Sequence, residues 1–70
     1  MNQNYKLDIL IPVYNEGENI IETLRAIKKN TSTPFRILIC YDFDEDDTLP
    51  AVEKIREEIE SPILFIKNKG

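Results

Sequence analysis

Two short stretches of this 70-residue chain carry side chains able to do chemistry. The first is Asp42-Phe43-Asp44-Glu45-Asp46-Asp47, with five carboxylates in six residues. Ionised carboxylates this close repel one another unless they are solvated or paired with a cation. The second is Pro12-Val13-Tyr14-Asn15-Glu16, which directly follows the apolar run Ile9-Leu10-Ile11. Ligands of open α/β sheets bind outside the C-terminal ends of the strands, so this turn is a candidate site wall. Tyr14 can stack on a base there, or pack against the helix that follows. Plainer roles compete. Asp46 and Asp47 can cap a helix after the acidic loop. Glu16 can be a first-turn acid that favours a helix dipole.

The elements that must position these residues follow from the hydrophobic pattern. Ile9-Leu10-Ile11 reads as a strand covered on both faces of a parallel sheet. This first strand spans about 7–13 and weakens at Pro12, which has no N–H to give. Asn15 reads as a helix N-cap, with Glu18 three residues later as a variant capping box. The helix covers about 18–30. Ile20, Ile21, Leu24 and Ile27 form its apolar stripe, with Glu18 in its first turn and Lys28 and Lys29 in its last. Asn30-Thr31-Ser32-Thr33-Pro34 is turn chemistry. A second strand covers 35–41, with Ile37, Leu38 and Ile39 as its buried centre. A second helix covers 48–60, with Val52, Ile55 and Ile59 on one face and Pro50 tolerated in the first turn. Ser61-Pro62 breaks it, and 63–66 is a third strand. Residues 1–6 read as a frayed tail. The order β-α-β-α-β predicts one half of a doubly wound, Rossmann-like parallel sheet. Both chemistry-bearing stretches then lie at the same sheet edge.

Composition narrows the function classes. Seventy residues make at most one small domain, which buries only ~60% of its unfolded surface. A net charge of −4 argues against a nucleic-acid binder, which needs a basic face. No apolar run approaches the ~18 residues of a membrane span, and the polar N-terminus is not a signal peptide. The single Cys40 excludes an internal disulfide and reads as a small buried hydrophobe. It is compatible with a reducing, cytoplasmic setting. The chain has no histidine, so imidazole acid–base chemistry and Ser-His or Cys-His nucleophiles are excluded within it. Its only glycines are Gly17 and Gly70, so neither a dinucleotide fingerprint nor a phosphate-cradling loop is present.

The acidic loop also matches other motifs in part. Asp42-x-Asp44-x-Asp46 with Glu53 has the spacing of a calcium-binding EF-hand loop, but its sixth position needs Gly and holds Asp47, and a strand precedes it. Asp42-Phe43-Asp44 resembles the nucleophile motif of haloacid-dehalogenase-type phosphatases, although the Gly-Thr expected directly after the second Asp is absent.

A strand ending in Pro12-Val13-Tyr14-Asn15-Glu16, followed by Asn19-Ile20-Ile21-Glu22-Thr23-Leu24-Arg25-Ala26-Ile27, resembles the opening of inverting family-2 glycosyltransferases. The resemblance covers most of the chain. It implies the A-type glycosyltransferase fold and a nucleoside-diphosphate-sugar donor held by the turn after strand one. Many of these enzymes carry Asp-Asp-Gly-Ser-Thr-Asp-Gly-Thr after strand two. Anchored on Thr48, that pattern puts Tyr41 at the first Asp, Asp42 at the second, Phe43 at the Gly, Asp44 at the Ser and Asp46 at the later Asp. The second Asp of the pattern hydrogen-bonds the nucleotide base, so the resemblance gives Asp42 that role, with Asp44 as a substitute. A carboxylate suits it, because it accepts from the imide N–H of uracil or the paired donors of guanine. The resemblance also implies that Glu16 holds the nucleotide near the ribose, and that Pro12 and Val13 meet the base through backbone groups and apolar contact.

The expected nucleotide-binding set is therefore Pro12, Val13, Tyr14, Glu16, Asp42 and Asp44. The divalent cation (Mg²⁺ or Mn²⁺) and the catalytic carboxylate of such enzymes come after later strands, so neither is assigned to these residues. Residues 1–70 are thus expected to be the N-terminal part of a larger domain, catalytically silent alone, with strand one an exposed edge inviting self-association. The acceptor, and any membrane association of the larger protein, are left open. The alternative from another class is a non-catalytic α/β module whose acidic loop binds a cation or a protein.

Overall fold

The computed structural model of the protein describes residues 5–69. Five elements follow one another: β1 (Leu7–Pro12), α1 (Gly17–Asn30), β2 (Phe35–Tyr41), α2 (Thr48–Ile59) and β3 (Ile63–Lys67). The strands form one parallel sheet in the order β1-β2-β3. The β-α-β-α-β reading and its parallel sheet are therefore what the chain adopts. Element ends fall within a residue or so of expectation, and β2 matches at both ends. The expected tail at 1–6 lies largely outside the described residues, but Lys6 is tied down, donating its N–H to the Pro34 carbonyl at 2.9 Å.

Pairing is in register from Leu7↔Phe35 to Pro12↔Cys40, and from Ile37↔Ile63 to Tyr41↔Lys67. Alternation along each strand sorts the side chains onto two unlike faces. Phe35, Ile37, Ile39 and Ile63 are buried together with Ile20 and Leu24 of α1 and Val52, Ile55 and Ile59 of α2. Both helices thus cover one face. An ion pair between Arg25 and Glu58, 2.6 Å apart, joins their outer surfaces. Arg56 of α2 closes the far end. It donates to the Ile63 carbonyl at 2.6 Å and lies 5.3 Å from the centre of the Phe65 ring.

The opposite face corrects the expectation of a sheet buried on both sides. Leu10, Leu38 and Leu64 form one cross-strand row, and Pro12, Cys40 and Ile66 the next. Leu10 is 61% exposed, Leu64 44% and Ile66 41%. Leu38 and Cys40 are half-buried, so neither belongs to the buried core that the sequence suggests. The physical reason is the connectivity. Two crossovers that step the same way across a sheet, β1 to β2 to β3, place both helices on the same side.

Candidate functional site

The two chemistry-bearing stretches meet beyond the C-terminal ends of β1 and β2, as expected. What holds them together is a network that local reading misses. Asn15 has a left-handed backbone, φ 50°. Its N–H points at the Asp46 carboxylate, 3.1 Å from both oxygens. Asp46 Oδ1 also accepts from the Thr48 N–H at 2.8 Å. The Glu16 N–H donates to the Thr48 hydroxyl at 2.8 Å, and the Gly17 N–H to Asp47 Oδ1 at 2.8 Å. In return, the Asp47 N–H donates to Asn15 Oδ1 at 3.1 Å.

This network corrects the expected N-cap. The cap position of α1 is Glu16, not Asn15, and no side chain of the turn caps the helix, so no capping box forms with Glu18. The amides entering α1 are instead satisfied by Asp46, Asp47 and Thr48 from the other loop. Asn15 cannot be the cap, because its left-handed backbone sends its side chain across to Asp47. The bland role for the acidic loop is half realised. Asp46 accepts from the N–H of Thr48, at the start of α2, while Asp47 occupies the cap position of α2 but turns its carboxylate to α1.

Asp46 is 1% exposed. Burial works to raise the pKa of its carboxyl. The Thr48 hydroxyl and the N–H groups of Thr48 and Asn15 outweigh it, and the net shift is downward from the ordinary 3.8. Gly17 sits where a side chain has no room. A Cβ there would lie 2.9 Å from both the carbonyl oxygen and Oδ1 of Asp47. Asn15, Gly17, Asp46 and Thr48 were not expected to form a single assembly. The lone glycine of the turn, beside two consecutive acids before a threonine, is the only signal for it in the chain.

The expected nucleotide-binding residues are placed as follows. Tyr14 is 67% exposed and leans on the half-buried Phe43, with ring centres 5.6 Å apart and planes tilted by 56°. Its partner is thus the acidic loop rather than α1. Asp42 is exposed and accepts from the Asn68 amide at 2.9 Å. Asp44 pairs with Lys67 at 3.0 Å, and that hydrogen bond raises the Lys67 pKa. The end of β3 therefore contributes Lys67 and Asn68 to the edge, a contribution the sequence reading did not include. Glu16 is half-buried at the start of α1, and Pro12 is exposed at the end of β1. Val13 differs from the others. Its side chain is in the core, 6% exposed, and its N–H donates to the Cys40 carbonyl. The expected apolar contact of Val13 with a base is therefore not open to its side chain.

The acidic stretch divides by chemistry. Asp46 spends its oxygens on N–H groups and the Asp47 carboxylate binds Gly17. Both are internal acceptors. Asp42 and Asp44 hold only exposed amide and ammonium partners, which an incoming ligand can displace. The EF-hand spacing loses its third ligand to the same network. Among the described residues the edge is an open surface rather than an enclosed cavity.

Comparison with known proteins adds the family. No curated protein and no solved structure matches the chain. The family model described as glycosyl transferase family 2 matches residues 8–70. That span takes in β1 from its second residue, the other four elements, the turn after β1 and the acidic loop, and the three-stranded parallel sheet agrees with the Rossmann-like fold of the A-type enzymes. The chain therefore belongs to glycosyl transferase family 2.

Proposed function

We propose that this chain is the donor-nucleotide-binding part of a glycosyltransferase that takes a sugar from a nucleoside-diphosphate donor. The reaction is attack of an acceptor hydroxyl on the anomeric carbon, departure of the nucleoside diphosphate and inversion at that carbon. The observation that supports this best is the juxtaposition at one sheet edge of Tyr14 and Phe43 with the displaceable carboxylates Asp42 and Asp44. An exposed aromatic pair offers a stacking surface. Carboxylates beside it accept from base N–H donors. Glu16, one residue past the left-handed turn, is the acceptor for ribose hydroxyls. Pro12 and the Val13 carbonyl complete the wall.

The described residues do not fit the divalent cation expected of the family. Asp46 is taken up by backbone N–H groups, and among the described residues no three carboxylate or thiol side chains are grouped so that they could hold a metal ion. No step of the reaction is assigned to a metal here. The catalytic base has no candidate in this stretch either, so the 70-residue chain binds the donor nucleotide without turning it over. No helix of the described residues is long and apolar enough to cross a membrane, and a cytoplasmic location is part of the proposal because nucleotide sugars and a free thiol both suit it.

The test is an amide NMR titration of the chain with UDP and with GDP, each with and without Mg²⁺. Shifts at residues 13–16 and 42–44 are expected, and the tighter ligand names the base. A folded chain with no shift from either nucleotide refutes the proposal. Shifts from Mg²⁺ alone replace it with the cation-binding module.

A further inference from the structure

Asp46 poses a question that the nucleotide reading leaves unanswered. A carboxylate that is almost fully buried loses its hydration, and an apolar side chain in its place would avoid that loss. The compensation found is unusual in kind. Among the described residues no ion pair reaches Asp46, and its oxygens take the N–H groups of Asn15 and Thr48. Thr48 is the first residue of α2 and Asn15 lies two residues before α1, so the buried anion joins the approaches to both helices. Asp46 is almost fully buried, yet its side chain and its backbone together bond to both loops that carry the candidate readers. On one side it holds the N–H of Asn15, whose left-handed turn leaves Tyr14 projecting outward and Glu16 entering α1. On the other, its own N–H donates to the Phe43 carbonyl at 3.2 Å, closing the loop that carries Asp42, Phe43 and Asp44.

We propose that Asp46 is a positioning residue for nucleotide binding: it sets the separation of the Tyr14–Glu16 turn from the Asp42–Asp44 loop without touching the ligand. Thr48 acts with it, because its hydroxyl accepts the Glu16 N–H. This role rests on the nucleotide reading above. It explains why the charge is kept where packing alone would favour an apolar group. A purely stabilising contact needs only to be strong, whereas one placed between two reader loops also fixes their spacing.

The test uses Asp46→Asn, which keeps one acceptor oxygen and turns the other into a donor facing the Asn15 N–H. Thr48→Val is the second variant, nearly isosteric and without the hydroxyl that receives Glu16. Amide exchange and UDP and GDP titrations are measured on both and on the unaltered chain. Exchange is expected to quicken at Asn15, Glu16 and Thr48 while the β2 amides of Ile37 and Ile39 keep their protection. Nucleotide affinity is expected to fall by about tenfold, the equivalent of one lost buried hydrogen bond. Unchanged affinity in a folded variant overturns the positioning role alone. Failure of the unaltered chain to bind either nucleotide overturns the nucleotide reading, and this role with it. If Asp46→Asn unfolds, the same comparison is read from Thr48→Val.

Discussion

Gly17→Ala is a small change that the geometry makes costly. Gly17 is the first residue of α1, a place where alanine ordinarily improves on glycine, by up to about 1 kcal/mol in helix interiors. Here the added methyl group would sit 2.9 Å from the Asp47 carbonyl oxygen, 2.9 Å from its Oδ1 and 3.0 Å from its Cγ. Ordinary contact begins near 3.4 Å, so the partner must retreat by about half an ångström. The Asp47 side chain can rotate away, but only by giving up the Gly17 N–H bond at 2.8 Å. Its carbonyl cannot rotate, because its backbone leads straight into Thr48 and the buried Asp46. Forcing an extra methyl group into such a contact costs about 1–3 kcal/mol, and the lost hydrogen bond adds about 1 kcal/mol. Against the helix gain, the net is a destabilisation of about 1–3 kcal/mol. For a chain of this size that lowers the melting temperature by roughly 5–25 °C. Thermal and urea unfolding followed by circular dichroism measure it. Adding Asp47→Ala should restore only part of the loss, since the backbone oxygen stays in place. A Gly17→Ala chain as stable as the original would show that the two loops do not approach as described, and the reasoning about the buried network would fail with it.

Two other expectations concern acid and surface. The Asp46 carboxyl titrates below its ordinary 3.8 in the folded chain, so the stability it confers is complete above that value and is lost as pH falls through the lower, folded-state value. The Asn15 and Thr48 amide resonances should therefore hold steady on acidification to about pH 4 and move together below it; movement centred above pH 5 would contradict the assignment. On the open sheet face, Leu10→Lys should change stability by no more than about 0.5 kcal/mol, because Leu10 is 61% exposed. It should also reduce any self-association through this face or the β1 edge, as read by sedimentation velocity. A large loss of stability would mean that Leu10 is packed.

The sequence was most informative where chain-local physics decides. Runs of Ile and Leu bounded by Pro, Asn and Ser placed every element, and the stripe through Ile20 and Leu24 named the buried side of α1. It was least informative about which face of the sheet is covered. Ile9-Leu10-Ile11 and Ile37-Leu38-Ile39 have no polar alternation, so nothing in them separates the covered residues from the open ones. Leu10 and Leu38 therefore looked as buried as their neighbours. The candidate site shows the same division. The meeting of the two loops was legible from strand order, and Tyr14, Glu16, Asp42 and Asp44 do lie there. The N-cap was not legible, because capping rules search three residues ahead, while the partners of Asn15, Glu16 and Gly17 lie 30 to 32 residues away.

That separation has a consequence for how the chain comes together. The start of a helix is normally nucleated by groups close in sequence, at little cost in chain freedom. For α1 the groups come from beyond β2, so its first turn cannot be fixed until a loop of some 30 residues has closed. The reciprocal bond from the Asp47 N–H to Asn15 imposes a like dependence on the approach to α2. The beginnings of the two helices thus depend on each other and form as one cooperative unit. Their midsections, packed through Leu24, Val52 and Ile59, depend on the same closure. The edge that carries the reader residues is therefore tied to the packing of the two helices, and a perturbation that parts them loosens that edge as well.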